Sequence, residues 1–142
     1  MRAFTIAGEH VKRFMQQLFK LDTFDAFEVH SLTLHSFTGF EVSGEKPEGN
    51  YCTWAELRPF VLPLVKAQKP RALKIVFAQA APEAFHPNAA GLFVNMLYEN
   101  DGITCTTGVQ PQKFDLDKQW VAQWDDWVAA FFGKNGIVAT IE

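Results

Sequence analysis

Apolar residues recur at helical spacing in three stretches of the chain. From Gly8 to Phe19 they occupy the i, i+3, i+4, i+7 and i+8 positions of one helix face, and polar residues occupy the other. A second stretch begins at Thr53-Trp54-Ala55-Glu56, which matches the capping box of a helix N-terminus. The third follows Asp117, whose carboxylate suits an N-cap. The pattern therefore predicts helices over residues 9–19, 54–66 and 117–132.

Proline and glycine residues modify the predicted helices. Pro59 and Pro63 lie inside the second helix, where each removes a backbone hydrogen-bond donor and clashes with the preceding turn. Because the apolar spacing persists through both prolines, we expect one opening turn followed by a kinked second part that begins near Pro59. Gly133 follows the third helix and is predicted to end it in the left-handed conformation.

Alternation of apolar and polar residues predicts several strands. The clearest pair runs from Leu92 to Tyr98 and from Ile103 to Val109, joined by the hairpin-type turn Asn100-Asp101-Gly102. Residues 28–42, which are rich in β-branched and aromatic side chains, predict two strands. The pattern does not locate their turn, because Gly39 fits either a turn or a bulge. Shorter strands are predicted at residues 4–6, 73–78 and 137–141.

Together these elements predict an α+β fold. Its single, mainly antiparallel sheet has five to seven strands, and the three helices pack on one face. Successive hairpins favour antiparallel pairing, and the strand–helix–strand passages would add one parallel contact. A chain of 142 residues without an internal linker predicts one globular domain over residues 1–142. Function is expected on the face of the sheet that the helices leave open.

The charge balance and the cysteine count narrow the classes of function. The net charge of −3 argues against non-specific nucleic-acid binding, which draws on clustered positive charge. No secretion signal and no apolar run long enough for a membrane span are found. Two cysteines, Cys52 and Cys105, do not make a disulfide framework. The sequence thus predicts a protein of the reducing cytoplasm that does not span a membrane.

No residue pattern assigns a catalytic residue, a metal site or a cofactor. The four histidines are scattered, and neither a phosphate-binding loop nor a zinc-ligand spacing occurs. The densest acidic group offers Asp115 and Asp117 with Lys118 as an enzyme site, although Asp117 is more simply a helix cap. Cys52 precedes a helix start, a position that lowers a thiol pKa, and is a nucleophile candidate without a partner. We therefore expect a protein that is not an enzyme.

Two groups of residues are candidates for binding a ligand or a partner. Trp120, Trp124 and Trp127 fall within an apolar arc of about 140° on the third helix, so packing against the sheet is the main interpretation. A tryptophan that the sheet leaves uncovered would be free to bind. The second group is the basic cluster, whose members could meet a phosphate or an acidic partner or could simply complement a helix C-terminus. It contains Lys66, Lys69 and Arg71, with Lys74 nearby.

Short pieces spread over nearly the whole chain carry a resemblance. They include Phe14-Met15-Gln16-Gln17-Leu18-Phe19, Trp54-Ala55-Glu56-Leu57-Arg58-Pro59, Phe114-Asp115-Leu116-Asp117-Lys118 and Trp124-Asp125, of which the last two are the most specific. The chain resembles a bacterial family of uncharacterised proteins, a domain of unknown function of about this length. It departs from that pattern at Lys66-Ala67, where a Lys-Gly pair is expected. The resemblance implies one intact domain and a bacterial cytoplasmic setting, and it carries no activity.

Three hypotheses about function follow. The first is a non-enzymatic interaction or scaffold module, including one that forms a homodimer, because the chain is rich in aromatic residues and lacks catalytic motifs. The first alternative is a small-molecule binder with a pocket between the sheet and the tryptophan-rich helix. The second alternative is an enzyme that uses acidic residues near Asp115 and Asp117. The sequence does not name the ligand, the partner or the oligomeric state.

Overall fold

The computed structural model describes residues 1–142, and its elements follow the predicted order. In chain order they are β1 (Ala3–Ile6), α1 (Glu9–Phe19), β2 (Glu28–His35), β3 (Gly39–Ser43), α2 (Trp54–Ala67), β4 (Ala72–Ala78), a 3₁₀ turn (Pro82–Ala84), β5 (Ala89–Glu99), β6 (Gly102–Pro111), α3 (Gln119–Lys134) and β7 (Thr140–Ile141).

The seven strands form one sheet in the order β3-β2-β4-β5-β6-β1-β7. Every pairing between neighbours is antiparallel, so the α+β prediction is confirmed and the expected parallel contact is absent. The longest pair is the β5–β6 hairpin, whose turn residues Asn100 and Asp101 have φ angles of 51° and 60°. Two positive φ angles in a row define the type I′ turn that matches the twist of the strands.

The helices cover one face of the sheet and enclose a single core cluster of 26 buried residues. On β4, for example, Leu73, Ile75 and Phe77 are buried, while Lys74 and Val76 alternate toward the other face. This period of two is what a half-buried antiparallel strand requires. The opposite face of the sheet carries no helix and remains the open face.

Helix α2 is continuous from Trp54 to Ala67, so the expected division near Pro59 is wrong. The predicted capping box is present, since the Thr53 hydroxyl accepts from the N–H of Glu56 and the Glu56 carboxylate accepts from the N–H of Thr53. Pro59 and Pro63 have no N–H to donate to the carbonyls four residues earlier, which belong to Ala55 and Pro59. All three residues are exposed. The carbonyls left without an intrahelical donor therefore lie on the solvent side, where water can satisfy them.

Helix α3 begins and ends two residues later than predicted. The left-handed residue at its C-terminus is Gly136, with a φ angle of 71°, and Gly133 lies inside the helix, so that prediction is wrong. The N–H of Ile137 donates to the Phe132 carbonyl, and the N–H of Gly136 donates to the Gly133 carbonyl. These two bonds are those of a Schellman motif, and the buried Ile137 supplies its apolar contact.

The structure also places the turn that the sequence left open. Residues 36–38 connect β2 and β3, and Gly39 is the first residue of β3. The irregularity lies instead between Val29 and Ser31, so His30 is the bulged residue against β4. A final strand was predicted over residues 137–141, but β7 contains only two residues, Thr140 and Ile141.

Candidate functional site

The sheet covers two of the three tryptophans on α3. Trp124 is fully buried and its indole Nε1 donates to the Phe93 carbonyl at 3.1 Å. Trp120 is also buried and stacks on the His86 ring, with centroids 5.0 Å apart. Trp127, one turn further along, is partly exposed. Trp120 and Trp124 thus pack in the core, and Trp127 is the one tryptophan of α3 that stays partly exposed.

Trp127 lies in the wall of a groove of about 330 Å³ on the surface. The groove runs between α3, the segment that connects α1 to β2, and the residues that follow β4. We call it the Trp127 groove; its lining residues are Thr23, Ala26, Phe27, Gln79, Ala80, Trp127, Phe131 and Lys134. The groove lies beside α3 and not beneath it, because Trp120 and Trp124 fill the space between the helix and the sheet.

Aromatic rings hold the wall of the groove in place. Trp127 stacks on Trp124 on one side and on Phe131 on the other, with centroids 5.1 and 5.5 Å apart and interplanar angles of 11° and 10°. Phe27 meets both Trp127 and Phe131 edge-on, with angles of 90° and 82°. Such offset and edge-on pairs contribute about 0.5–1.5 kcal/mol each beyond area burial. The wall is therefore preorganised.

Three polar side chains line the same groove. Lys134 lies in the last turn of α3 and pairs with no carboxylate. The Gln79 amide makes no hydrogen bond within the protein, whereas the Thr23 hydroxyl donates to the Gln17 side chain. Gln17 in turn donates to the Asn135 carbonyl at 2.9 Å. The groove thus combines an apolar wall with a cation and a free amide.

The predicted basic cluster is divided by the structure. Lys66, Lys69 and Arg71 are exposed around the end of α2 and the loop that follows it. Lys74 lies on β4 and points to the open face of the sheet instead. The ammonium of Lys69 is 3.6 Å from the Asp101 carboxylate, the one ion pair within the cluster.

The acidic residues proposed for an enzyme bind the backbone near them. Asp117 accepts from the N–H of Gln119 at 2.9 Å. The N-cap of α3 is Lys118, whose side chain makes no capping hydrogen bond, so the prediction that Asp117 is the N-cap is wrong because the helix begins two residues later than expected. Asp115 accepts from the N–H of Asp117 at 3.0 Å. The ammonium of Lys118 lies 5.5 Å from the Phe114 ring centroid, a cation–π contact. These groups organise the entry to α3.

A model of a family described as a family of unknown function, DUF5721, matches residues 17–139. The chain belongs to DUF5721. This agrees with the resemblance to a family of uncharacterised proteins, while the bacterial origin stays a prediction. The match includes the whole Trp127 groove, begins within α1 and ends before β7. No curated protein and no solved structure matches the chain. None of its helices is long and apolar enough to cross a membrane.

Sequence reasoning missed one buried polar pair in this DUF5721 chain. The Asp125 carboxylate is 8% exposed and accepts a hydrogen bond from the Thr107 hydroxyl of β6. The backbone N–H of Arg2 donates to the same hydroxyl oxygen at 2.8 Å. A signal was present, because Asp125 falls about 140° from Trp120 on the helical wheel and within about 20° of the buried Phe132. Its neighbour Asp126 is exposed and pairs with the Arg2 guanidinium at 3.1 Å.

The expectation that the nearby helix start lowers the pKa of Cys52 is wrong. Burial raises the pKa of this thiol, and the nearby Glu56 carboxylate raises it further. A helix start lowers a thiol pKa where the thiolate is solvated, but Cys52 is half-buried beside a carboxylate. Cys105 is fully buried, and burial raises its pKa to about 12. Both thiols are therefore less reactive at neutral pH than a free cysteine.

The open face of the sheet carries mostly small and polar side chains. A depression of about 380 Å³ is lined by Lys74, Asn95 and Leu97 with two threonines of β6. At one end of this face His30 stacks on Tyr51, with centroids 3.7 Å apart and an angle of 8°. Burial lowers the pKa of His30. The face thus offers hydrogen-bonding groups in a depression about as open as the Trp127 groove, but fewer of the residues that line it are apolar.

Proposed function

We propose that this DUF5721 protein binds a small molecule in the Trp127 groove. One observation carries the proposal: Trp127, the partly exposed tryptophan of α3, lines a groove of about 330 Å³ with two phenylalanines and a lysine. Ligand sites are typically concave, about 300–1,000 Å³ in volume, mostly apolar, and supplied with a few convergent polar groups. The groove meets each of these conditions, at the small end of the range.

The chemistry of the groove favours a ring-bearing anion. Trp127 and Phe131 stack on each other and both line the groove, so a flat ring can pack against the edges of this pair. The unpaired Lys134 ammonium favours a carboxylate over an amine, and the Gln79 amide can donate to it as well. An aromatic or cyclic carboxylate is therefore the ligand class that we infer.

Titration with 1-naphthoate, followed by ¹⁵N NMR of the indole N–H groups, tests this proposal. We expect the Trp127 signal to shift on addition of 1-naphthoate and the Trp54 signal to stay, because the Trp54 indole is buried and donates to the Leu18 carbonyl. The cation 1-naphthylmethylamine, which has the same ring, is expected to bind less tightly. A constant Trp127 signal, or equal binding of the two probes, would contradict the inferred ligand class.

A matched pair of variants locates the site. Ala26 is exposed and lines the groove, so Ala26→Trp should fill it and weaken naphthoate binding by about tenfold or more. Ala122 is exposed on the far side of α3, so Ala122→Trp should leave the affinity unchanged. Equal affinities in the two variants would place the ligand elsewhere.

The interaction module remains a second candidate function, favoured by a different observation. Phe114 and Leu116, in the loop between β6 and α3, are 80% and 84% exposed. Two large apolar side chains two residues apart can anchor a partner, and a second copy of the chain is the simplest one. Binding of a partner through this loop would not require the Trp127 groove.

Sedimentation velocity tests self-association through this loop. If the loop forms a homodimer, the wild-type chain should be dimeric, and the double variant Phe114→Ser, Leu116→Ser should be monomeric. The control Phe60→Ser removes a side chain that is 76% exposed on α2 and should leave the dimer intact. A wild-type chain that is monomeric at every concentration rejects the homodimer.

We also propose that residues 1–142 act as one domain in the reducing cytoplasm. The single sheet and the single core cluster support one domain. Two free cysteines, one of them fully buried, fit a compartment where disulfides are rare. Fractionation of the source cells, with the protein recovered outside the cytoplasmic fraction, would overturn the location.

A further inference from the structure

A second concavity lies at the other end of the helical layer, between α1, the end of α2 and the sheet. Its volume is about 210 Å³, and it shares no lining residue with the Trp127 groove. We call it the α1–α2 pocket. Val11, Met15 and Phe19 of α1 form one wall, with Val65 of α2 opposite and Leu73 of β4 at the base. Lys69, Pro70 and Tyr98 complete the lining.

The pocket exists because the apolar stripe of α1 is wider than the surface that the core covers. Phe14 and Leu18 are fully buried, whereas Val11, Met15 and Phe19, at i, i+4 and i+8 spacing, remain partly exposed. An ordered water needs two to four polar partners, and this wall offers almost none. Apolar surface in such a concavity favours an apolar occupant. A cavity of roughly 150 Å³ holds benzene, so the larger α1–α2 pocket, which is open to solvent on one side, can hold a medium-length aliphatic chain.

Polar groups lie together at one side of this apolar pocket. The Lys69 ammonium lies 3.6 Å from the Asp101 carboxylate, and the Tyr98 hydroxyl donates to the same carboxylate oxygen at 3.3 Å. Both contacts are long, and the side chains of Lys69 and Asp101 are 79% and 84% exposed. Exposed pairs of this kind contribute little to stability, so another carboxylate can replace Asp101 at small cost.

The charge around the pocket is positive. Lys66 and Arg71 are exposed, adjoin the lining residues Val65 and Pro70, and pair with no carboxylate. Together with Lys69 they place three cations near one side of the pocket, where the nearby acid is Asp101. Glu99 alternates with Tyr98 along β5 and belongs to the open face of the sheet. A ligand with a negative head group is therefore favoured over one with a positive head group.

We propose that the α1–α2 pocket binds a medium-chain aliphatic carboxylate. The chain lies between α1 and α2 against Met15 and Val65. The carboxylate takes the place of Asp101, accepting hydrogen bonds from the Lys69 ammonium and the Tyr98 hydroxyl. This site is independent of the Trp127 groove and of the ligand inferred there. It gives the predicted basic cluster a binding role that its residue types alone did not define.

Titration of the full chain with octanoate tests the proposal, with octanol and octylamine as probes of the same chain length. The readout is NMR of ¹³C-labelled methionine methyl groups. We expect octanoate to shift the Met15 signal and to leave Met96, which is fully buried in the core, in place. Octanol should bind more weakly, and octylamine should show the weakest binding. If the Met15 signal stays constant, or if octylamine binds as tightly as octanoate, the proposal is overturned.

Two variants separate the roles of the chain and the head group. Lys69→Met keeps the side-chain stem and should weaken octanoate binding by about two- to fivefold through loss of an exposed ion pair, while octanol binding is unchanged. Lys20→Met, which removes an exposed lysine outside the pocket, is the matched control. Val65→Trp should fill the pocket and abolish the Met15 shift. Equal octanoate affinity in Lys69→Met and the control would overturn the head-group assignment, and a Trp127 shift in place of a Met15 shift would move the ligand to the other groove.

Discussion

Replacing Trp54 by alanine is expected to lower the free energy of unfolding by about 3–5 kcal/mol, the range for a large aromatic side chain removed from a core. Trp54 is fully buried, and its indole Nε1 donates to the Leu18 carbonyl at 2.7 Å. Its ring meets Phe19 of α1 and Phe77 of β4 edge-on, with centroids 5.7 and 5.9 Å away. One side chain thus joins two helices to the sheet.

Urea unfolding followed by circular dichroism measures this effect. Trp54→Phe keeps an apolar ring and loses the bond to Leu18, so it should cost less than the alanine variant, about 1–3 kcal/mol. Phe60→Ala is the matched control on the same helix, since Phe60 is 76% exposed and should change stability by no more than about 0.5 kcal/mol. A Trp54→Ala protein as stable as the Phe60→Ala protein would refute the role of Trp54 in the core.

The second large effect is expected for Thr107→Val, which should lower the free energy of unfolding by about 2–3 kcal/mol. The substitution preserves the shape of the side chain but removes the hydroxyl that donates to the buried Asp125 carboxylate. It also leaves the N–H of Arg2 without that acceptor. Removing the hydrogen-bond partner of a buried charged group lowers the free energy of unfolding more than removing the partner of a buried neutral group.

The adjacent Thr106 supplies the control for this change. Its side chain faces the open side of the sheet and makes no hydrogen bond within the protein, so Thr106→Val should be nearly neutral. The double variant Thr107→Val, Asp125→Leu removes both partners and should be more stable than the sum of the two single changes predicts. Equal unfolding free energies for Thr106→Val and Thr107→Val would show that the Asp125 bond contributes nothing.

Much of the fold followed from local patterns. The periodicity of α1 predicted residues 9–19 without error, because an amphipathic helix shows its buried face directly in the sequence. The Thr53 capping box and the Asn100-Asp101-Gly102 turn could also be predicted from neighbouring residues alone. Where the prediction failed, the missing information was tertiary. Pro59 is tolerated because its face of α2 is exposed, and α3 extends past Gly133 because Ile137 is buried when Gly136 turns the chain.

The candidate sites could be predicted only in part. The helical wheel named Trp120, Trp124 and Trp127 as one stripe, yet it could not say how much of that stripe the sheet would cover. It also could not find Gln79 or Thr23, which reach the Trp127 groove from segments far away in the chain. The basic cluster was visible in the sequence, whereas the apolar pocket beside Lys69 depends on how α1 and α2 rest on the sheet.

By itself, therefore, the sequence determined the identity and order of the elements, the face that each one buries, and membership of an α+β class, because hydrophobic period and turn chemistry are properties of neighbouring residues. Only the tertiary structure decided which tryptophan stays partly exposed, that Asp125 is buried against Thr107, and that Lys69 lies beside a pocket. Those outcomes depend on the packing of segments distant in the chain, and the apolar surface left over where packing ends is what remains for a ligand.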